Sequence, residues 1–113
     1  MISHASAKFQ RISPRKARVV VNLVRGRSAN DALQALEFTQ KAAAPIVKKL
    51  LESALANAQQ AQPNIDTDQL YVSRAFVDEG PNSHLRRWRP RAQGRATQIV
   101  KGVSHIHVEL DQR

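Results

Sequence analysis

The residue types that carry chemistry are few and widely spaced in this 113-residue chain. His105 and His107 stand two apart in an alternating run, so on a strand both face one side, a spacing that suits two ligands of a metal. No third ligand is specified and the chain has no cysteine, so ordinary surface or sheet histidines are the simpler reading. His4 and His84 lie far from them in sequence. Asp66 with Asp68 and Asp78 with Glu79 form acid pairs, but loop caps or solvated charges account for both. No nucleotide-binding glycine loop and no nucleophile–base–acid set can be picked out. Neither an enzyme nor a resident cofactor or metal is expected.

The chemistry that the spacing does support is contact with an anion. Asn82 to Arg95 carries five arginines, Arg86, Arg87, Arg89, Arg91 and Arg95, together with Trp88 and no acid. Arginine makes forked hydrogen bonds to phosphate and stacks on bases, while tryptophan offers a flat stacking surface. The competing reading is a Trp88 ring folded back onto its own hairpin. A second block, Lys8 to Arg27, holds Lys8, Arg11, Arg15, Lys16, Arg18, Arg25 and Arg27, again with no acid. Between the blocks, Ser28 to Asn82 has seven acids against four basic residues. The formal charge of +9 is therefore concentrated. That distribution favours a polyanionic partner over a basic surface kept for solubility, and folding decides whether the blocks make one footprint or two.

Several elements must position these residues. Residues 5 to 12 alternate weakly and read as an edge strand. Ser13-Pro14 starts a helix: serine caps the free amide groups, and proline fits the first helical position. This helix runs to about Arg25 with Gly26 closing it, and buries Ala17, Val20, Val21 and Val24. Arg15, Arg18 and Arg25 lie around its polar side, with Lys16 near the edge. Ser28 with Asp31 opens a short helix that ends near Phe38. A third helix lies within 41–60, with a stripe of Ile46, Val47, Leu50, Leu51, Ala54, Leu55 and Ala58. Pro45 places its start near Ala42–Ala44. Alanines 54, 56, 58 and 61 keep it thin, for close approach to a neighbour.

Two alternating runs, Leu70 to Val77 and Ser104 to Leu110, then frame the arginine-rich stretch as the limbs of a long hairpin. Gly80, Pro81, Gly94 and Gly102 mark bends or bulges, and Pro90 fits an irregular apex because it cannot donate to a ladder. From Gln69 to Arg87, a fully extended limb reaches roughly 60 Å at ~3.3 Å per residue, more than the width of so small a domain. The expected fold is α+β: a small three-stranded antiparallel sheet packed against about three helices, with a long protruding β-hairpin. A single domain, 1–113, is expected, divided into a body of 1–76 and 103–113 and an arm of about 77–102.

No apolar run approaches the roughly 20 residues of a membrane span. Met1 to Ser6 lead into the basic block without a signal peptide's apolar core, so a cytoplasmic location is expected and no membrane partner. A reader of duplex DNA needs a helix free for the major groove. The 14–25 helix supplies a basic face but leaves the arm unexplained; a basic architectural protein that wraps DNA with its arm is the alternative. Irregularly folded RNA has clefts that a thin basic hairpin can thread, which accounts for more of the sequence.

Motifs now narrow the reading. Lys8-Phe9-Gln10-Arg11-Ile12-Ser13-Pro14-Arg15-Lys16-Ala17-Arg18, then Val24-Arg25-Gly26, resembles the opening of the family of bacterial ribosomal protein twenty-two of the large subunit. Ser53-Ala54-Leu55-Ala56-Asn57-Ala58 resembles its long-helix signature. Phe76-Val77-Asp78-Glu79-Gly80-Pro81, Pro90-Arg91-Ala92-Gln93-Gly94-Arg95-Ala96 and Ser104-His105-Ile106 complete the match, in family order and spacing over practically the whole chain.

The resemblance implies a structural protein that binds large-subunit (23S-type) ribosomal RNA, supports early assembly and lines the polypeptide exit tunnel with its hairpin. Its implied partners are that RNA, neighbouring large-subunit proteins and the nascent polypeptide near the tip, in the cytoplasm, as one copy per subunit without homo-oligomers. Carried over, the body's RNA contacts are Lys8, Arg11, Arg15, Lys16, Arg18, Arg25 and Arg27. The hairpin's RNA-binding and tunnel-lining residues are His84, Arg86, Arg87, Trp88, Arg89, Arg91, Arg95 and Lys101. The tunnel wall falls on His84 to Arg91, and Arg91 to Arg95 on the returning limb. Two departures stand out. Eight residues separate Gly80-Pro81 from Pro90-Arg91, two more than the common bacterial pattern, so the tip, Asn82 to Arg89, is longer. Gln59-Gln60 replaces a frequent histidine–asparagine pair.

Overall fold

The computed structural model describes residues 2–80, 87–90, 96–99 and 102–112, of which 87–90 and 96–99 are described as backbone. In chain order the elements are β1 (Ser3–Gln10), α1 (Pro14–Val24), α2 (Ala29–Glu37), α3 (Ala44–Ala61), a 3-10 turn (Thr67–Gln69), β2 (Leu70–Glu79), β3 (Arg87–Pro90), β4 (Ala96–Ile99) and β5 (Ser104–Gln112). An antiparallel sheet has the order β1-β5-β2, so the last strand is central and β1 lies at an edge, as its weak pattern predicts.

Local chemistry sets the helix ends. Ser13 Oγ accepts the Lys16 N–H at 3.2 Å, and Pro14 occupies the first turn of α1. Ser28 Oγ accepts the Asp31 N–H at 3.3 Å at the start of α2. α3 begins at Ala44, so Pro45 falls in the first turn, where a missing N–H breaks no helical bond. Gly26 takes the left-handed conformation expected, at φ +81°. Its N–H, however, donates to the Val72 carbonyl at 2.9 Å instead of closing back on the helix.

All three helices contribute to one core on one face of the sheet. Ala17, Val20, Val21 and Val24 of α1 and Val47, Leu50, Leu51 and Ala54 of α3 meet Val72, Ala75, Val77, Ile106, Val108 and Leu110. Ala54 and Ala58 are the alanines that permit close approach, whereas Ala56 and Ala61 are exposed. The period-2 pattern leaves His105, His107, Glu109 and Asp111 on the other face of β5. The stacked partners Phe76 and His107 share that opposite face.

The hairpin is rooted in this sheet. β2 and β5 pair as far as Glu79 and Ser104, and the Gly80 N–H donates to the Val103 carbonyl at 2.7 Å. A second antiparallel ladder joins β3 to β4, from Arg87↔Ile99 to Pro90↔Ala96. This ladder corrects two expectations. Pro90 is the last residue of β3, a position that tolerates a missing donor, and not part of an irregular apex. Arg87 to Arg89, expected within the tip, are instead paired in β3 with Ile99, Gln98 and Thr97.

Candidate RNA interface

The two ends of the first basic block are held differently. Lys8 and Arg11 are exposed around the end of β1, and Arg15 and Lys16 are exposed in the first turn of α1. Arg18 Nη2 donates to the Val77 carbonyl at 3.1 Å. Arg25 donates to the Ala75 carbonyl from Nε at 3.0 Å and from Nη2 at 2.6 Å, and from Nη1 to Asn22 Oδ1 at 2.8 Å. Among the described residues β2 is an edge strand, and these carbonyls have no neighbouring strand to accept from. Val72 exchanges hydrogen bonds with the Gly26 N–H and the Arg27 carbonyl, each 2.9 Å, on the same edge. Two arginines expected on the polar face of α1 therefore also fasten that helix to the sheet and cover its exposed edge.

The junction of β1 and α1 touches the base of the arm. Ser104 Oγ is buried and donates to the Ile12 carbonyl at 2.6 Å. Gly102 lies so close to the helix start that an added Cβ would stand 2.7 Å from Ser13 Cα and 3.2 Å from Pro14 Cδ. Lys8, Arg11, Arg15 and Lys16 thus flank the root from which the hairpin leaves. Arg87, Trp88 and Arg89 lie in β3, opposite Ile99, Gln98 and Thr97. His84, Arg86, Arg91, Arg95 and Lys101 lie outside the described residues.

The histidine pair has protein partners. His105 Nδ1 accepts the Phe9 N–H at 3.0 Å, and its ring meets that of Phe9 edge-on, with centroids 4.8 Å apart. His107 Nδ1 and Ser6 Oγ are hydrogen-bonded at 2.8 Å, while Nε2 lies 3.5 Å from Asp78 Oδ2. The His107 ring stacks on Phe76, over which Arg74 also sits at 4.7 Å. Among the described residues no three His, Asp or Glu side chains gather as a metal-ligand set. Sequence alone does not single out Phe9, Arg74 and Phe76 as partners of these histidines, because the outward face of a strand shows there only as alternation. The same-side spacing of His105 and His107 was the available signal.

Fold and charge define the class: a small basic α+β protein with a three-stranded and a two-stranded antiparallel sheet, and with exposed basic residues grouped where β1 meets α1. The family model of Ribosomal protein L22p/L17e matches residues 5–111, and the chain belongs to that family. It is 61% identical over 113 residues to the large ribosomal subunit protein uL22 of Sorangium cellulosum (strain So ce56), covering 100% of this chain and 99% of the relative. Identity is 51% over 113 residues to the protein of the same name from Syntrophus aciditrophicus (strain SB), with both chains 100% covered. It is 50% over 109 residues to that of Syntrophobacter fumaroxidans (strain DSM 10017 / MPOB), 96% of each chain.

Proposed function

We propose that this chain is a non-enzymatic structural protein of the large ribosomal subunit in the cytoplasm, where it binds the large-subunit RNA and supports early assembly. The observation that carries the reading is 61% identity, end to end, to a large ribosomal subunit protein. The body, 1–76 and 103–113, settles on RNA through Lys8, Arg11, Arg15, Lys16 and Arg27, with Arg18 and Arg25 using the donors that β2 leaves them. The arm, about 77–102, threads between RNA segments that would otherwise repel one another, and its arginines neutralise their phosphates. Its far end lines the peptide exit tunnel beside the nascent chain. One copy serves each subunit, among neighbouring large-subunit proteins.

The test uses the absence of native cysteine. Trp88→Cys, carrying a hydroxyl-radical probe, is reconstituted into large subunits and the RNA cuts are mapped. Cuts confined to RNA around the exit tunnel are expected. Diffuse cuts, or cuts only at the subunit surface, would overturn the threaded arm.

A further inference from the structure

Phe9 combines three features that ordinary packing does not explain. It is a large apolar residue that remains 63% exposed. Its backbone is left-handed, at φ +58°, a conformation that is strained for a residue with a Cβ. It also sits in a β-bulge: Ala7 pairs with Ile106 and Gln10 with Ser104, so Lys8 and Phe9 oppose the single residue His105. Bulges re-aim side chains. This one directs the Phe9 N–H to the His105 imidazole and brings the two rings edge-on, at 85°. The ring is held in one place yet contributes little burial in return for its strained backbone.

The surroundings say what it meets. Lys8 and Arg11, both exposed, stand on either side of it in the chain, within a block of basic residues that contains no acid. The other two phenylalanines differ. Phe76 is half-buried, with His107 and Arg74 already on its ring. Phe38, 83% exposed, follows Glu37, a poor neighbour for a polyanion. Only Phe9, among the exposed phenylalanines, joins a fixed open ring to flanking cations.

We propose that Phe9 is a stacking platform for an unpaired base of RNA, with Lys8 and Arg11 on the adjacent phosphates and His105 fixing the ring. The inference rests on the RNA-binding reading above and adds a base contact that its basic residues do not supply. Stacking on an aromatic side chain tolerates any base and depends on the flat face, not on hydrophobicity alone.

Full-length Phe9→Gly, Phe9→Leu and Phe9→Trp would be compared with the native chain for affinity to large-subunit RNA, alongside an unrelated RNA of equal length. Phe9→Gly should bind about 5- to 150-fold more weakly, as loss of one stack of ~1–3 kcal/mol requires. It should nevertheless melt no lower, because glycine accepts the left-handed backbone without strain. Phe9→Trp should restore binding, Phe9→Leu should not, and the salt dependence should be unchanged because no phosphate contact is lost. Base-specific chemical probing should show one nucleotide gaining reactivity with Phe9→Gly. Native-like binding by Phe9→Gly or Phe9→Leu would overturn the stack while leaving RNA binding intact. A native chain without preference for large-subunit RNA would overturn both.

Discussion

The buried Ser104 hydroxyl shows how single residues hold the arm's root. It donates to the Ile12 carbonyl at 2.6 Å and so ties the central strand to the turn before α1, across 92 positions of sequence. Removing a buried donor leaves its acceptor unpaired, which costs ~1–3 kcal/mol. Ser104→Ala is therefore expected to lower the unfolding free energy by about 1–2 kcal/mol, read from urea titration of the full chain. An unchanged midpoint would show that the Ile12 carbonyl finds another donor. Gly80 works by size instead. A Cβ there would lie 2.8 Å from Val103 Cγ1 and 3.2 Å from His105 Nε2, so the residue that follows β2 must be small for its N–H to reach Val103.

Between elements, the decisive contact is α1 against β2. Hydrophobic packing of Val20, Val21 and Val24 supplies the contact surface, but it does not fix the rotation of a helix about its axis. Arg18 and Arg25 do so by gripping carbonyls two residues apart on the strand edge. Arg25→Ala should destabilise the fold by about 1 kcal/mol, the typical net worth of a hydrogen bond. Arg25→Lys should recover less than half of that, since an ammonium lacks the planar fork that reaches Ala75 and Asn22 together. Thermal unfolding of the two variants checks this; full recovery by lysine would mean that charge, not geometry, matters.

At the scale of the whole molecule, the excess of 18 basic over nine acidic residues acts through where it is placed. The first block lies where β1 meets α1 and the second lies between β2 and β5 in the chain, so under the proposed function their contacts with phosphate would add together. RNA affinity should fall steeply with salt, by about 0.7–0.9 in the log–log slope for each phosphate neutralised. Arg11→Ala should remove about one such increment, measured by titration across a range of salt concentrations. A slope that is flat, or indifferent to Arg11, would show that phosphate contacts do not lead binding.

By itself the sequence determined what depends on neighbours along the chain. Ser13-Pro14, Ser28 with Asp31, and Pro45 mark their helix starts because capping involves residues three positions apart or fewer. Apolar periodicity marks the buried faces for the same reason, and the ordered motifs are enough to identify the family. Tertiary structure alone decided which strand is central, and with it which edge Arg18 and Arg25 cover. It also decided that Pro90 ends a strand, paired with Ala96. The bulge at Lys8–Phe9 exists only because β1 pairs with a strand nearly 100 residues away. Such features depend on register and packing between distant segments, and alternation within one strand carries no record of its partner.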